Sequence, residues 1–479
     1  MATRKDRPTR TQAKRAPRKP KIVSPPLPIP ATTTVARQVS PRPQYICVSD
    51  QEHGLDAMVR MVAQAKGVIA SASLMESAGV AVLETPPGEA DIQIYSELGA
   101  LAADLSPEER ERLESAGAVI AENEERGIPP NEDVHPVEPV TTEHPFPLPP
   151  KNPETILEAF IFGQITALAQ VYDLSRRQRQ TGAALRIGVA GVSALADSHS
   201  WCLALMGLGP DFSGPSGRGI KVAVLDTGLD LLHPDFVGRI HADNVQDFSG
   251  SSGPQDVQGH GTHCAGSIAG PRASKSGTRY GIAPDVTLLV GKVLNDSGRG
   301  SDDNILSGMT WAARNGARVI SMSLGSPRNA GQSFSPVYER IASRLKRENV
   351  VIVAAAGNES FRPSFIAPVG NPAACPSILA IGAMDNSKAV GSFSCGGVDP
   401  VDRVDFAAPG VAVFSSIPVA KGSFGLKSGT SMATPYVAGA LALYLEAEAA
   451  GNVDALLSQM RTDGGRPERD FGRGLVLVP

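Results

Sequence analysis

Cysteine and tryptophan are scarce in this sequence: five Cys and two Trp in 479 residues. Cys47, Cys202, Cys264, Cys375 and Cys395 are odd in number, scattered, and form no Cys-x-x-Cys pair. This argues against a disulfide framework and against a thiol zinc site, so nothing in the chain demands an oxidising compartment. Charge of one sign is also lacking. A net charge of −4 argues against a general nucleic-acid-binding surface. Long hydrophobic runs are missing as well. The most apolar stretch, residues 157–174, is interrupted by Glu158, Gln164 and Gln170, and reads as a buried or partner-facing helix rather than a membrane span. Met1–Lys21 holds nine Lys/Arg and one acid, with no apolar segment after it. No Sec signal peptide is therefore read there, and the cytoplasm is the expected location, with non-Sec export left open.

What is present is a globular composition, 42% hydrophobic and 20% charged, in a chain long enough for two or three domains. Residues 1–43 are basic and proline-dotted, and read as a disordered tail. Residues 44–126 give strands at Tyr45–Val48, Val68–Leu74, Gly79–Leu83 and Ala118–Ala121, with helices at Leu55–Lys66 and after Ser106-Pro107. That β-α-β-β-α-β order predicts a small α+β ferredoxin-like domain. Residues 127–194 form a Pro-rich linker followed by a helix over 153–179. In residues 195–479, apolar strands alternate with helices. Such alternation predicts an α/β fold with a mostly parallel sheet covered on both faces, its function at the strand C-terminal ends.

Chemistry-bearing residues collect at those ends. Val222-Ala223-Val224-Leu225-Asp226-Thr227-Gly228 ends a strand on an acid. Gln258-Gly259-His260-Gly261-Thr262-His263-Cys264 puts a histidine at a glycine-led helix start, and Val353–Glu359 ends a strand on Asn358. Ser428-Gly429-Thr430-Ser431-Met432-Ala433-Thr434-Pro435 puts Ser431 at the start of a helical run. Each residue alone has a plain reading: Ser431 as a helix cap, Asp226 in a turn, His260 in a core. Together they are acid, base, oxyanion donor and nucleophile of an acyl-transfer site.

The segments DTG, HGTHCAG and SGTSMATP, in the order Asp, His, Ser, resemble the subtilisin-like serine proteases, the subtilase family, and the cysteine after HGTH is similar to the proteinase K-like branch. The resemblance covers residues 195–460 and implies a three-layer subtilisin-like fold and a serine endopeptidase. It implies Ser431 as nucleophile, His260 as base, Asp226 as its orienting acid and Asn358 as oxyanion donor, with His263 and Cys264 structural. It further implies a substrate cleft walled by Ser323, Leu324, Gly325 and by Gly357, with Gly370 at the base of a pocket for large apolar side chains. Ser297-Gly298-Arg299-Gly300 resembles the strand on which a peptide substrate adds as a further strand. Asp302 and Asp303, which follow it, are read as a solvated helix cap in preference to a site for basic residues. Asp405, with the carbonyls of Pro376 and Ile378, resembles a proteinase K-type calcium site, but no metal or other cofactor is assigned. Residues 44–126 resemble the inhibitory propeptide of subtilases, which makes the chain's own N-terminal domain an expected partner beside protein or peptide substrates. Neither nucleic acid nor membrane is an expected partner. Two further readings stand beside the endopeptidase: a non-catalytic peptide-binding module, and a latent intracellular regulatory protease released by prodomain removal.

Overall fold

The computed structural model describes residues 42–49, 54–66, 68, 75–77, 80–83, 91–129, 135–136, 199–447 and 452–479. The basic tail up to residue 41, the helix expected over 153–179 and most of the linker lie outside them.

In the N-terminal part the elements run β1 (Tyr45–Ser49), α1 (Gly54–Ala65), β2 (Met75–Ser77), β3 (Val80–Leu83), β4 (Ile92–Tyr95), β5 (Ala100–Ala103), α2 (Pro107–Ser115) and β6 (Ala118–Glu122). They form one antiparallel sheet in the order β2-β3-β4-β5-β1-β6. Strands β4 and β5 are additions to the predicted β-α-β-β-α-β order. The strand expected over 68–74 lies outside the described residues except for Val68. Helix α2 starts as its sequence requires. The Ser106 hydroxyl accepts from the Glu109 N–H at 3.3 Å and the Glu109 carboxylate accepts from the Ser106 N–H at 2.6 Å, a reciprocal cap worth about 1 kcal/mol.

Alternation in β1 gives the sheet two buried faces. Cys47 packs with Met58 and Val62 of α1 and Leu113 of α2. Ile46 and Val48 point the other way and join a core with Ile305, Met309, Tyr338 and Ile341 from later helices. Each is 1% exposed, a burial worth about 1.5–3 kcal/mol per side chain. After this sheet come the short strands β7 (Glu125–Gly127) and β8 (His135–Pro136). Strand β7 runs across the 126/127 boundary expected from composition.

The larger part continues with α3 (Trp201–Leu205), β9 (Lys221–Asp226), β10 (Val245–Asp247), α4 (His260–Ala269), β11 (Thr287–Lys292), β12 (Arg299–Ser301) and α5 (Asp302–Arg314). Then follow β13 (Val319–Met322), α6 (Pro336–Arg347), β14 (Val351–Ala355), β15 (Leu379–Met384), β16 (Phe406–Pro409), β17 (Val413–Ser416), β18 (Phe424–Lys427), α7 (Thr430–Ala447), α8 (Val453–Gln459) and α9 (Glu468–Phe471). Seven strands pair in the order β10-β11-β9-β13-β14-β15-β16, every pair parallel. Successive residues of β9 again face opposite layers. Val222 and Val224 pack with Cys264 and Ile268 of α4 and Met432 and Tyr436 of α7. Ala223 and Leu225 pack with Ile305 of α5 and Ile341 of α6. The result is a three-layer α/β fold, as expected. Among the described residues no helix is long and apolar enough to cross a membrane.

Candidate active site

Strand β9 ends on Asp226, which is fully buried. Its Oδ1 accepts from the Thr227 N–H at 2.7 Å and lies 2.7 Å from His260 Nδ1. His260 opens α4 and is held there by two devices. Asp256 accepts from the Gly259 and Thr262 amides and from the Thr227 and Thr262 hydroxyls at 2.6–2.9 Å. The Thr227 hydroxyl accepts in turn from the Gly261 N–H at 2.8 Å. A Cβ at Gly261 would lie 2.3 Å from the Gly228 carbonyl, so only glycine lets the helix start approach the strand end this closely. The buried Lys292 ammonium, reaching the Thr227 carbonyl at 2.6 Å, steadies the same turn. Asp256 and Lys292 are positioning residues that no sequence motif pointed to.

Ser431 sits in the first turn of α7. Pro435 has no N–H, so the Ser431 carbonyl loses its i+4 helical donor. That carbonyl accepts instead from the Ser323 hydroxyl at 2.9 Å and the Cys264 thiol at 3.6 Å. The same thiol lies 3.9 Å from His260 Nδ1, so one buried sulfur touches both the histidine and the serine backbone. Burial pushes this thiol's pKa up. Asp226, His260 and Cys264 place their ligand-type atoms within 4.8 Å of one another, but the first two are engaged with each other and the third holds its proton. The Asn358 Oδ1 accepts from the Thr430 N–H at 2.9 Å and the Thr430 hydroxyl at 2.8 Å, which leaves Nδ2 as the side chain's donor. His263 binds the Val413 carbonyl through Nε2 at 2.9 Å, and burial, aided by the Lys427 charge, pushes its pKa well down.

The cleft in front of these residues is crossed by the chain itself. Strand β7 pairs antiparallel with β12, Arg126 opposite Gly300. The Ile128 N–H donates to the Gly298 carbonyl at 3.1 Å. On the other side Gly127 and Gly325 exchange two backbone hydrogen bonds of 3.2 and 2.9 Å. Continuing this register by two residues brings Pro129, which is buried, opposite Ser323. The Ser431 hydroxyl donates to the Ser323 carbonyl at 3.3 Å. Beyond the cleft, β8 pairs with β18, the strand that leads into the Ser431 turn. Leu324 is fully buried in the core that holds Ile305 and Ile341. Gly357, at φ +114°, has no room for a Cβ, which would lie 2.4 Å from the Glu359 carboxylate; a Cβ on Gly370 would lie 2.6 Å from the Ser326 carbonyl.

One expectation needs correction. Asp302 and Asp303 are buried and do not act as a solvated cap; Ser301 holds the cap position. Asp302 binds the Arg126 guanidinium, at 2.7 and 3.1 Å, and Asp303 accepts from the Asn123 amide at 3.0 Å. The calcium-like donor set is taken by a side chain: Arg403 donates to the Asp405 carboxylate at 2.8 Å and to the Pro376 carbonyl at 2.7 Å. A guanidinium supplies the positive charge there, and these residues do not fit a calcium ion.

Residues 217–471 match the subtilase family. The chain is 40% identical over 232 residues to subtilisin E of Bacillus subtilis (strain 168), covering 48% of this chain and 57% of that one. It is 38% identical over 268 residues to subtilisin DY of Bacillus licheniformis, covering 55% and 91%. It is 38% identical over 230 residues to an intracellular serine protease of Paenibacillus polymyxa, covering 47% and 67%. The chain thus spans little more than half the length of subtilisin E. A family match over more than half of its residues, together with these relatives, shows that the chain belongs to the subtilase family.

Proposed function

We propose that this protein is a serine endopeptidase that hydrolyses peptide bonds through an acyl-enzyme on Ser431. The observation that carries the reading is the buried Asp226–His260 pair, linked through the Cys264 thiol to the Ser431 backbone, together with a strand that pairs with an extended segment. A serine hydroxyl is a poor nucleophile at neutral pH, so it needs His260 as base. Ser431 Oγ attacks the peptide carbonyl as its proton passes to His260. The charge that develops on the carbonyl oxygen is met by the Ser431 N–H and Asn358 Nδ2. His260 returns the proton to the departing amine, and water repeats the sequence on the acyl ester. Asp226 fixes the imidazole tautomer and stabilises the imidazolium without taking the proton. The walls at Ser323–Gly325 and at Gly357, with Gly370 beneath, suit an apolar residue before the cut. Loss of all proteolysis in Ser431→Ala is the expected outcome; undiminished proteolysis by that variant would overturn the reading.

The latent form of this activity is favoured by one further observation. Extending the Gly127–Gly325 register by two residues sets Pro129 opposite Ser323, the place of the residue before the cut, and proline has no N–H for the Ser323 carbonyl. That carbonyl takes the Ser431 hydroxyl instead. Pro130 follows in the sequence, so the bond after Pro129 joins a tertiary amide nitrogen. The N-terminal domain and residues 125–129 then act as an intramolecular inhibitor that resists cleavage, in a protein held in the cytoplasm until a partner displaces them. Intact mass after incubation under cytosol-like conditions tests this. A stable full-length chain is expected, and prompt cleavage between the domains would contradict it.

A further inference from the structure

The cleft-bound segment shows more than occupancy. It shows which side chain the cleft is built to hold. Gly127 pairs with Gly325, and extending that register by two residues sets Pro129 opposite Ser323. With Pro129 as the residue before the cut, Arg126 is the fourth. Its side chain is 3% exposed. Nε and Nη2 bind the two oxygens of Asp302 in a fork, at 2.7 and 3.1 Å. Nη1 binds the Ser326 hydroxyl, and the guanidinium stands 5.6 Å from the centre of the Tyr338 ring. The Tyr338 hydroxyl donates to the same Asp302 oxygen at 2.9 Å, orienting the carboxylate.

Asp302, Ser326 and Tyr338 all belong to the larger α/β part, and none to the segment they hold. Among the described residues, the N-terminal part adds the exposed Glu124 to the guanidinium, at 2.9 Å. A planar carboxylate, a hydroxyl and a ring face arranged in this way match a guanidinium and do not match an ammonium or an apolar side chain.

We propose that Asp302, with Ser326 and Tyr338, is a specificity pocket that selects arginine at the fourth position before the cut, so that substrate proteins carry Arg there. This rests on the endopeptidase reading, and it names the substrate class that reading leaves open. Asp302 is the residue that discriminates. When the inhibitory segment leaves, its carboxylate faces an open groove and waits for the next guanidinium.

The test uses the full chain carrying Arg126→Ala and Ser431→Ala, so that its own segment binds weakly and no cleavage intervenes. Two probes are titrated: the peptide Glu-Glu-Arg-Gly-Ile-Pro, and the same peptide with citrulline, the neutral isostere, in place of Arg. Residual competition from the chain's own segment weakens both equally and leaves their ratio intact. The Arg peptide is expected to bind about 10–100-fold more tightly. Adding Asp302→Asn is expected to bring the ratio near one. Binding of the two peptides within twofold, persistence of the ratio in Asp302→Asn, or binding of neither peptide would overturn the proposal. Failure of the endopeptidase reading would show separately, as absence of fluorophosphonate labelling at Ser431 in the Arg126→Ala chain, and the binding ratio would still decide the pocket.

Discussion

Removing the Arg126 side chain should open the cleft of the full-length protein. In the closed form Arg126 and Asp302 are a buried, doubly hydrogen-bonded pair, 3% and 5% exposed at their side chains. Deleting one member of such a pair costs about 3–5 kcal/mol, because the other charge stays buried without its partner. That cost falls on the closed form alone, since Asp302 regains water once residues 125–129 lift away. At about 1.4 kcal/mol per decade, even 3 kcal/mol raises the open population by roughly 100-fold. Arg126→Lys keeps a charge but loses the fork, and should fall between the parent and Arg126→Ala. The assay is the rate at which a small fluorophosphonate labels the intact protein, read by mass. A rise of roughly 100-fold for Arg126→Ala is expected, with a smaller rise for Arg126→Lys. Labelling of Arg126→Ala within twofold of the parent would refute the inference that this ion pair holds the cleft shut.

Asn358→Leu, in a chain with an opened cleft, is expected to lower kcat by about 10²–10³ with little change in KM. That magnitude is known for the corresponding donor in subtilisin, a relative of this chain, and an unchanged kcat would remove Asn358 from the oxyanion site. Replacing Pro129 by Tyr and Pro130 by Ser restores the missing N–H and a secondary amide, so cleavage between residues 129 and 130 should appear by mass spectrometry; a full-length chain would show that the prolines are not what resists it. His263 carries a pH signature. Its folded pKa lies well below the ordinary value, through burial first and the Lys427 charge second, whereas the unfolded chain binds a proton near pH 6.5. Below that pH the unfolded state holds more protons, so stability falls as pH drops from 7 to 5. The urea midpoint should fall over that range, and by less in His263→Gln; an equal fall would assign the effect elsewhere.

The parallel sheet, and the residues gathered at its strand ends, were legible because their signals are local. An apolar strand that stops on Asp226-Thr227-Gly228, or a glycine-led turn before His260, states its own geometry. Strands β4 and β5 were not legible. Ala100–Ala103 is built of good helix formers, and only pairing with β1 and β4 makes it a strand. Asp302 was misread for a related reason: two acids at a helix start already suit the helix dipole, and their partners lie 176 and 180 residues away in sequence. The calcium-like resemblance rested on Asp405 and the Pro376 and Ile378 carbonyls, whereas Arg403, two residues before Asp405, supplies the cation. Pro435 had a consequence that only packing revealed. It frees the Ser431 carbonyl for Ser323 and Cys264, which ties the Ser431 backbone to the residues around it.

The central claim is that one hydroxyl, on Ser431, is activated by His260. It is tested most directly by treating the Arg126→Ala chain with a fluorophosphonate and locating the adduct by peptide mass spectrometry. A single adduct on Ser431, abolished by His260→Ala, is the expected result. An adduct on another residue, no adduct at all, or undiminished labelling without His260 would contradict the account.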